Sequence, residues 1–208
     1  MLNIRGLNMW KMAIIHVICT AYKRPIELRH AIDNFLMQTN NRWMLNIIHD
    51  GEAPTEIKKI ISSYSDLRIK FTETISVNGK HGHPNRKFML EKIPNLNIDD
   101  YVLITNEDNY YVPVFVEYFL EKTKRGDVGL VYCDTIHSYM GYDVLRTQLK
   151  ENFIDMGSFI VRLDIAKEIG FNHEHLSADG KYAEECAKMC IVKGLKTIHI
   201  QKCLFVHN

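Results

Sequence analysis

Hydrophobic residues fall into short unbroken runs that alternate with stretches of helical period. Ala13 to Cys19 is almost continuously apolar and β-branched, which predicts a strand buried on both faces. Pro25 to Gln38 then spaces Ile26, Ala31, Ile32, Phe35 and Leu36 as one helix face, with Pro25 where a helix start accepts proline. The pairing repeats as a strand over Met44 to Ile48 and a helix over Pro54 to Tyr64, followed by a short strand over Leu67 to Phe71. Thr72 to Pro84 is polar, glycine-bearing and without period, and a loop of that size is usually functional or mobile. A central strand over Tyr101 to Ile104, a helix over Pro113 to Lys124 and a strand over Val128 to Cys133 lead to an irregular segment through Lys150. Beyond it the pattern predicts a strand over Phe153 to Val161, helices over Leu163 to Ile169 and Gly180 to Lys193, and strands over Thr197 to Ile200 and Cys203 to Val206. This alternation implies one α/β domain, a mostly parallel Rossmann-like sheet with helices on both faces.

Three of these strands end in polar tips. They are Thr20-Ala21-Tyr22-Lys23-Arg24-Pro25, Asp50-Gly51 and Thr105-Asn106-Glu107-Asp108-Asn109. Ligands of open α/β sheets sit beyond the carboxyl ends of strands, and carboxylates placed there suit a hard cation. The plainer alternative is a solvated acidic turn.

Composition narrows the partners. The 208 residues are 46% hydrophobic and 25% charged with a net charge of +1, which gives no bulk electrostatic case for nucleic acid or an anionic membrane. The five cysteines form no CxxC pair and sit mostly in apolar runs, as reduced core residues of an intracellular protein would. No run approaches the roughly 18 residues needed to span a bilayer, so the expectation is a soluble cytoplasmic protein. GxGxxG, GxxxxGK[ST] and GxSxG are absent, which weakens dinucleotide, P-loop and hydrolase readings. His81-Gly82-His83 and His173-Glu174-His175 lack the partners of common metal motifs and read as loop histidines.

With the three strand tips in place, the chain resembles a family-two, inverting glycosyltransferase of the GT-A fold from Ile14 to His207. The resemblance implies a catalytic domain over residues 13–208, residues 1–12 being an N-terminal extension, cut from a longer polypeptide with further domains. It implies that Thr20, Ala21, Tyr22 and Arg24 contact the nucleotide and that Asp50 accepts a hydrogen bond from the uracil N–H. Asn78 to Lys87, with Gly79 and Arg86, matches the segment that closes over the nucleotide, its charge suiting a diphosphate. The acidic tip corresponds to the family's DxD motif, with Asn106 where the first aspartate stands. Asp108 is then the metal ligand, and Asn106 or Glu107 reaches the ribose or a metal-bound water. His207 resembles the carboxyl-terminal histidine that completes such a site, and an imidazole favours Mn2+ over Mg2+. For the general base, the acidic acceptor-side motif points to Asp179, with Asp155 as competitor and Glu184 third. Gly157, between Met156 and Ser158, would line the donor sugar.

The implied substrates are a UDP-sugar of glucose or rhamnose type and a glycan or protein-linked glycan acceptor, with no nucleic acid and no membrane span. Two alternatives stay open. A sugar-phosphate nucleotidyltransferase would carry a glycine-rich loop where Tyr22-Lys23-Arg24-Pro25 stands, and a non-catalytic nucleotide- or glycan-binding module would explain Asn106.

Overall fold

A computed structural model describes residues 12–95, 97–173, 175 and 177–208. Residues 1–11, nearly all of the expected N-terminal extension, and Glu174 of the second histidine triplet lie outside the described residues. The first apolar run forms β1 (Ile15–Ala21), buried along its whole length. It is followed by α1 (Pro25–Leu36), β2 (Trp43–His49), α2 (Thr55–Ser62), β3 (Ile69–Glu73), α3 (His83–Lys92), β4 (Tyr101–Asn106) and β5 (Tyr110–Tyr111). The chain continues through α4 (Phe115–Thr123), β6 (Val128–His137), β7 (Asp143–Leu145), β8 (Phe159–Arg162), α5 (Leu163–Ile169), α6 (Ala178–Val192) and β9 (Lys196–His207).

Among the described residues the strands form one nine-stranded sheet in the order β3-β2-β1-β4-β8-β6-β9-β5, with β7 joined to β6. β1 to β4 are parallel, β6 and β9 share their direction, and β5, β7 and β8 run the other way. The carboxyl ends of β1, β2, β4, β6 and β9 therefore share one edge, and β8 begins there. Alternation along each strand feeds two cores: Val17 and Leu103 pack with α1, α2 and α4, whereas Ile18, Val102 and Ile104 pack with α3, α5 and α6. No described helix is long and apolar enough to cross a membrane.

Three sequence expectations need correction. Helix α3 has no counterpart in the hydrophobic pattern, because three of its buried positions are the polar residues His83, Asn85 and Arg86. The strand expected from Phe153 starts only at Phe159; Asp155 to Ser158 instead form a tight turn in which the Ser158 hydroxyl donates to the Asp155 carbonyl at 2.7 Å. The two terminal strands are one strand, β9, whose polar Gln201-Lys202 lies at a bulge where the register against β6 jumps from Cys133↔Ile200 to Asp134↔Cys203.

Candidate active site at the carboxyl edge of the sheet

The ends of β1, β2 and β4 open onto a cleft of about 370 Å3. Nine residues expected at a nucleotide site line it, Thr20, Ala21, Tyr22, Arg24, Asp50, Gly79, Asn106, Glu107 and Asp108, together with Val77, His81, Gly82 and Asn85. Its far wall is pinned by Asp50. Oδ1 accepts the Asn78 N–H at 2.8 Å and the Asn85 side-chain amide at 2.9 Å, and Oδ2 accepts the Gly79 N–H at 3.0 Å. Burial raises the Asp50 pKa, but these three donors outweigh it and hold the carboxyl below its usual range. Four consecutive residues, Gly79, Lys80, His81 and Gly82, have positive φ (63°, 50°, 56° and 80°). The two non-glycine residues store strain on the order of 1 kcal/mol each. A Cβ on Gly82 would lie 3.2 Å from the Thr20 side chain, so glycine here lets α3 begin against the tip of β1.

Tyr22 stacks on His49 with ring centroids 6.0 Å apart. The His49 Nδ1 lies 2.8 Å from the Gly51 carbonyl and Nε2 lies 3.2 Å from the Lys23 N–H, so Nδ1 carries the proton and Nε2 accepts.

The acidic tip is committed in a way its sequence does not announce. Asn106 Oδ1 accepts from the Thr20 hydroxyl at 2.6 Å and from Arg86 Nη2 at 2.8 Å, which uses both lone pairs of that oxygen. Asp108 pairs with Arg24 through one oxygen. Glu107 is buried, its Oε1 accepts the Tyr22 N–H at 2.8 Å, and burial pushes its carboxyl up to about 7.

Across the central strand lies a second group of nominated residues. Arg86 is buried, with Nη1 3.0 Å from His83 Nδ1 and 3.5 Å from Asp179 Oδ1. Asp179, in the first turn of α6, also accepts the Met156 N–H at 3.2 Å. Burial raises its pKa, against the opposing charge of Arg86. Asp155 accepts from His137 Nε2 at 2.6 Å through one oxygen and from His207 Nδ1 at 3.0 Å through the other. Burial works against ionisation of Asp155, but the two imidazoles overcome it and keep the pKa low. Arg86, Asn106, Asp155, Gly157, Asp179 and His207 together line a small cavity of about 20 Å3 beside the main cleft.

Glu184 and Gly157 are also placed by contacts of their own. Glu184 accepts the Glu151 N–H at 2.8 Å and steadies the turn before β8; it lines neither cavity. Gly157 borders the small cavity and is also required by packing, since a Cβ there would stand 2.4 Å from the Phe205 ring and 2.7 Å from the Tyr111 hydroxyl. Sequence reasoning missed His137, Asn85 and His83. His137 is itself a polar strand tip, hidden because the apolar run stops at Cys133 while the strand continues. His81-Gly82-His83 is no simple loop: His83 opens α3, buried, with its pKa lowered to about 4 by burial.

No protein-family model and no curated protein matches the sequence. Solved structures do. TarS residues 1–349 from S. aureus superposes with a TM-score of 0.73 at 13% identity, covering 94% of this chain and 60% of that one. The same protein in complex with UDP-GlcNAc gives 0.72 at 14% identity, covering 93% and 58%. The mannosyltransferase PcManGT from Pyrobaculum calidifontis, in complex with GDP-Man and Mn2+, gives 0.71 at 16% identity, covering 95% and 59%. The fold is GT-A. The chain spans about three fifths of these GT-A chains.

A cation implied by the GT-A resemblance can be tested against the donors present. The Asn106 oxygen is already bonded to Thr20 and Arg86, and the acidic tip offers two carboxylates: Asp108, one oxygen of which is paired with Arg24, and the buried Glu107, whose Oε1 accepts the Tyr22 N–H. The end of β9 lies against it: the Asn208 side-chain amide donates to the Asp108 carbonyl, and the Asn208 N–H to Asn109 Oδ1 at 3.4 Å. His207 is held at Nδ1, leaving Nε2. A carboxylate oxygen and an imidazole nitrogen are donor types that suit Mn2+.

Proposed function

We propose that the chain is an inverting glycosyltransferase that moves a sugar from a UDP-sugar of glucose or rhamnose type to a hydroxyl of a glycan or glycoprotein. The observation that carries this reading is the convergence of three separate strand tips, nominated independently from sequence, on one cleft of about 370 Å3 in a sheet whose structural neighbours were captured with nucleotide-sugars. Tyr22 supplies an aromatic face and Arg24 a cation on one wall, and the turn pinned by Asp50 supplies the other. Asp50 Oδ2 retains an acceptor position for a base N–H. Asp108 and His207 would hold the divalent cation, which when bound supplies Lewis acidity to the leaving diphosphate. Asp179 is the base: its side chain is about a quarter exposed, it borders the small cavity beside the cleft, and burial raises its proton affinity. Asp155 is unsuited to that role because both its oxygens already accept imidazole protons.

Calorimetric titration with UDP and UDP-glucose, with and without Mn2+, on wild type and Asp108→Ala tests this. Metal-dependent binding that disappears in the variant supports the donor site; absence of uridine nucleotide binding overturns it. Saturation of the Asn106 oxygen favours one second reading, a nucleotide-binding module without catalysis, and metal-dependent donor turnover separates the two.

A further inference from the structure

We propose that His137 and Asp155 act as a relay that orients His207 and presents its Nε2 as a cation ligand at the small cavity beside the donor cleft; this rests on the glycosyltransferase reading above. A carboxylate can only accept, so both imidazoles bound to Asp155 must donate: His137 through Nε2 at 2.6 Å and His207 through Nδ1 at 3.0 Å, each to its own oxygen. With Nδ1 carrying the proton, neutral His207 has its lone pair on Nε2. A carboxylate on the far nitrogen is the usual partner of a metal-bound histidine, because it fixes both tautomer and ring plane.

The fold builds this arrangement from independent pieces. His137 and His207 are register partners in the parallel pair β6 and β9, so both rings leave the sheet edge side by side. Asp155 arrives from the turn that opens β8. Tyr139 fixes the ring planes, stacking on His137 at 5.1 Å and meeting His207 edge-on at 5.4 Å. Beyond His207, Asn208 ties β9 to the turn that carries Asp108. His137, Asp155 and His207 also bring three ligand atoms within 4.8 Å of one another, so an ion lodged among all three is the rival arrangement. Its weakness is that each imidazole already faces a different oxygen of Asp155 at hydrogen-bond distance.

The test reads the proton and the metal separately. Long-range 1H–15N NMR of the wild-type chain should show His207 as the Nδ1–H tautomer; an Nε2–H tautomer overturns the proposal without any variant. Mn2+ titration followed by loss of the free-ion EPR signal, with UDP present, should show binding weakened roughly 10- to 100-fold by Asp155→Ala. Asp155→Asn, which keeps an acceptor for Nδ1–H, should restore most of it. Unchanged affinity in Asp155→Ala overturns the relay. His137→Phe abolishing binding as fully as His207→Ala overturns it too, by placing the ion among all three residues. UDP titrated without metal reports the cleft alone: its loss marks failure of the donor reading, whereas intact UDP binding with no Mn2+ uptake overturns the relay only.

Discussion

The carboxyl edge of the sheet has two halves built on different rules. Around β1, β2 and β4, Thr20 to Arg24, Asp50 and Asn106 to Asp108 lie at a strand end or just past it, whereas Val77 to Asn85 come from the loop after β3 and the start of α3. Around β6, β8 and β9, the site is assembled from a strand end, a turn before an antiparallel strand, a helix start and a final strand. The first half can be read locally, while the second requires knowing which strands pair. Arg86 crosses between them, bonded to Asn106 on one side and close to Asp179 on the other.

The sharpest way to break that comparison is to cut the seam. Arg86→Ala should lower stability by about 3–5 kcal/mol in chemical denaturation, because it leaves Asp179 and Asn106 without their buried cation. Arg86→Lys should not restore it, since a single ammonium lacks the planar fork. A loss under about 1 kcal/mol would show the halves to be energetically independent.

Acid tests the same seam through His83, which is buried against Arg86 with a pKa lowered from 6.5 to about 4. The unfolded chain takes up this proton first as pH falls. The stabilisation is therefore complete above about pH 6.5 and is lost toward pH 4, to the extent of up to about 3 kcal/mol. His83→Gln should flatten stability against pH across that window; an unaltered slope would remove His83 from the acid response.

Within the mixed half, Gly157→Ala drives a methyl into Phe205 and Tyr111 and should cost about 2 kcal/mol, read as a lower melting temperature. The smallest effect belongs to Glu184→Ala. It should lower the melting temperature only slightly, through the lost Glu151 hydrogen bond, and leave kcat/KM unchanged. A collapse in kcat would return Glu184 to the chemistry.

The alternation of elements and the three strand tips were legible in the sequence because apolar runs and polar tips are local signals, whereas the place of Gly79 beside them came from the resemblance alone. What escaped was polar and buried. Asp134 interrupts the apolar run of β6, yet it is wholly buried and accepts from Arg146, the Thr147 N–H and His199, so the strand continues to His137. His83, Asn85 and Arg86 conceal α3 in the same way. Asn106 announced a departure from the family motif, but only the fold shows its oxygen spent on Thr20 and Arg86 rather than left vacant.

The pairing of β6 with β9 also has a kinetic consequence. His137 and His207 stand about seventy positions apart in the chain and are nearest neighbours in the sheet, whereas β1 meets β2 across a single helix. Loop-closure entropy makes the longer pairing the slower event. The β1–β2 pair is thus free to form before the histidine pair closes, whereas β4, whose register partners in β1 stand roughly eighty-five positions away, completes the cleft no earlier than that pair.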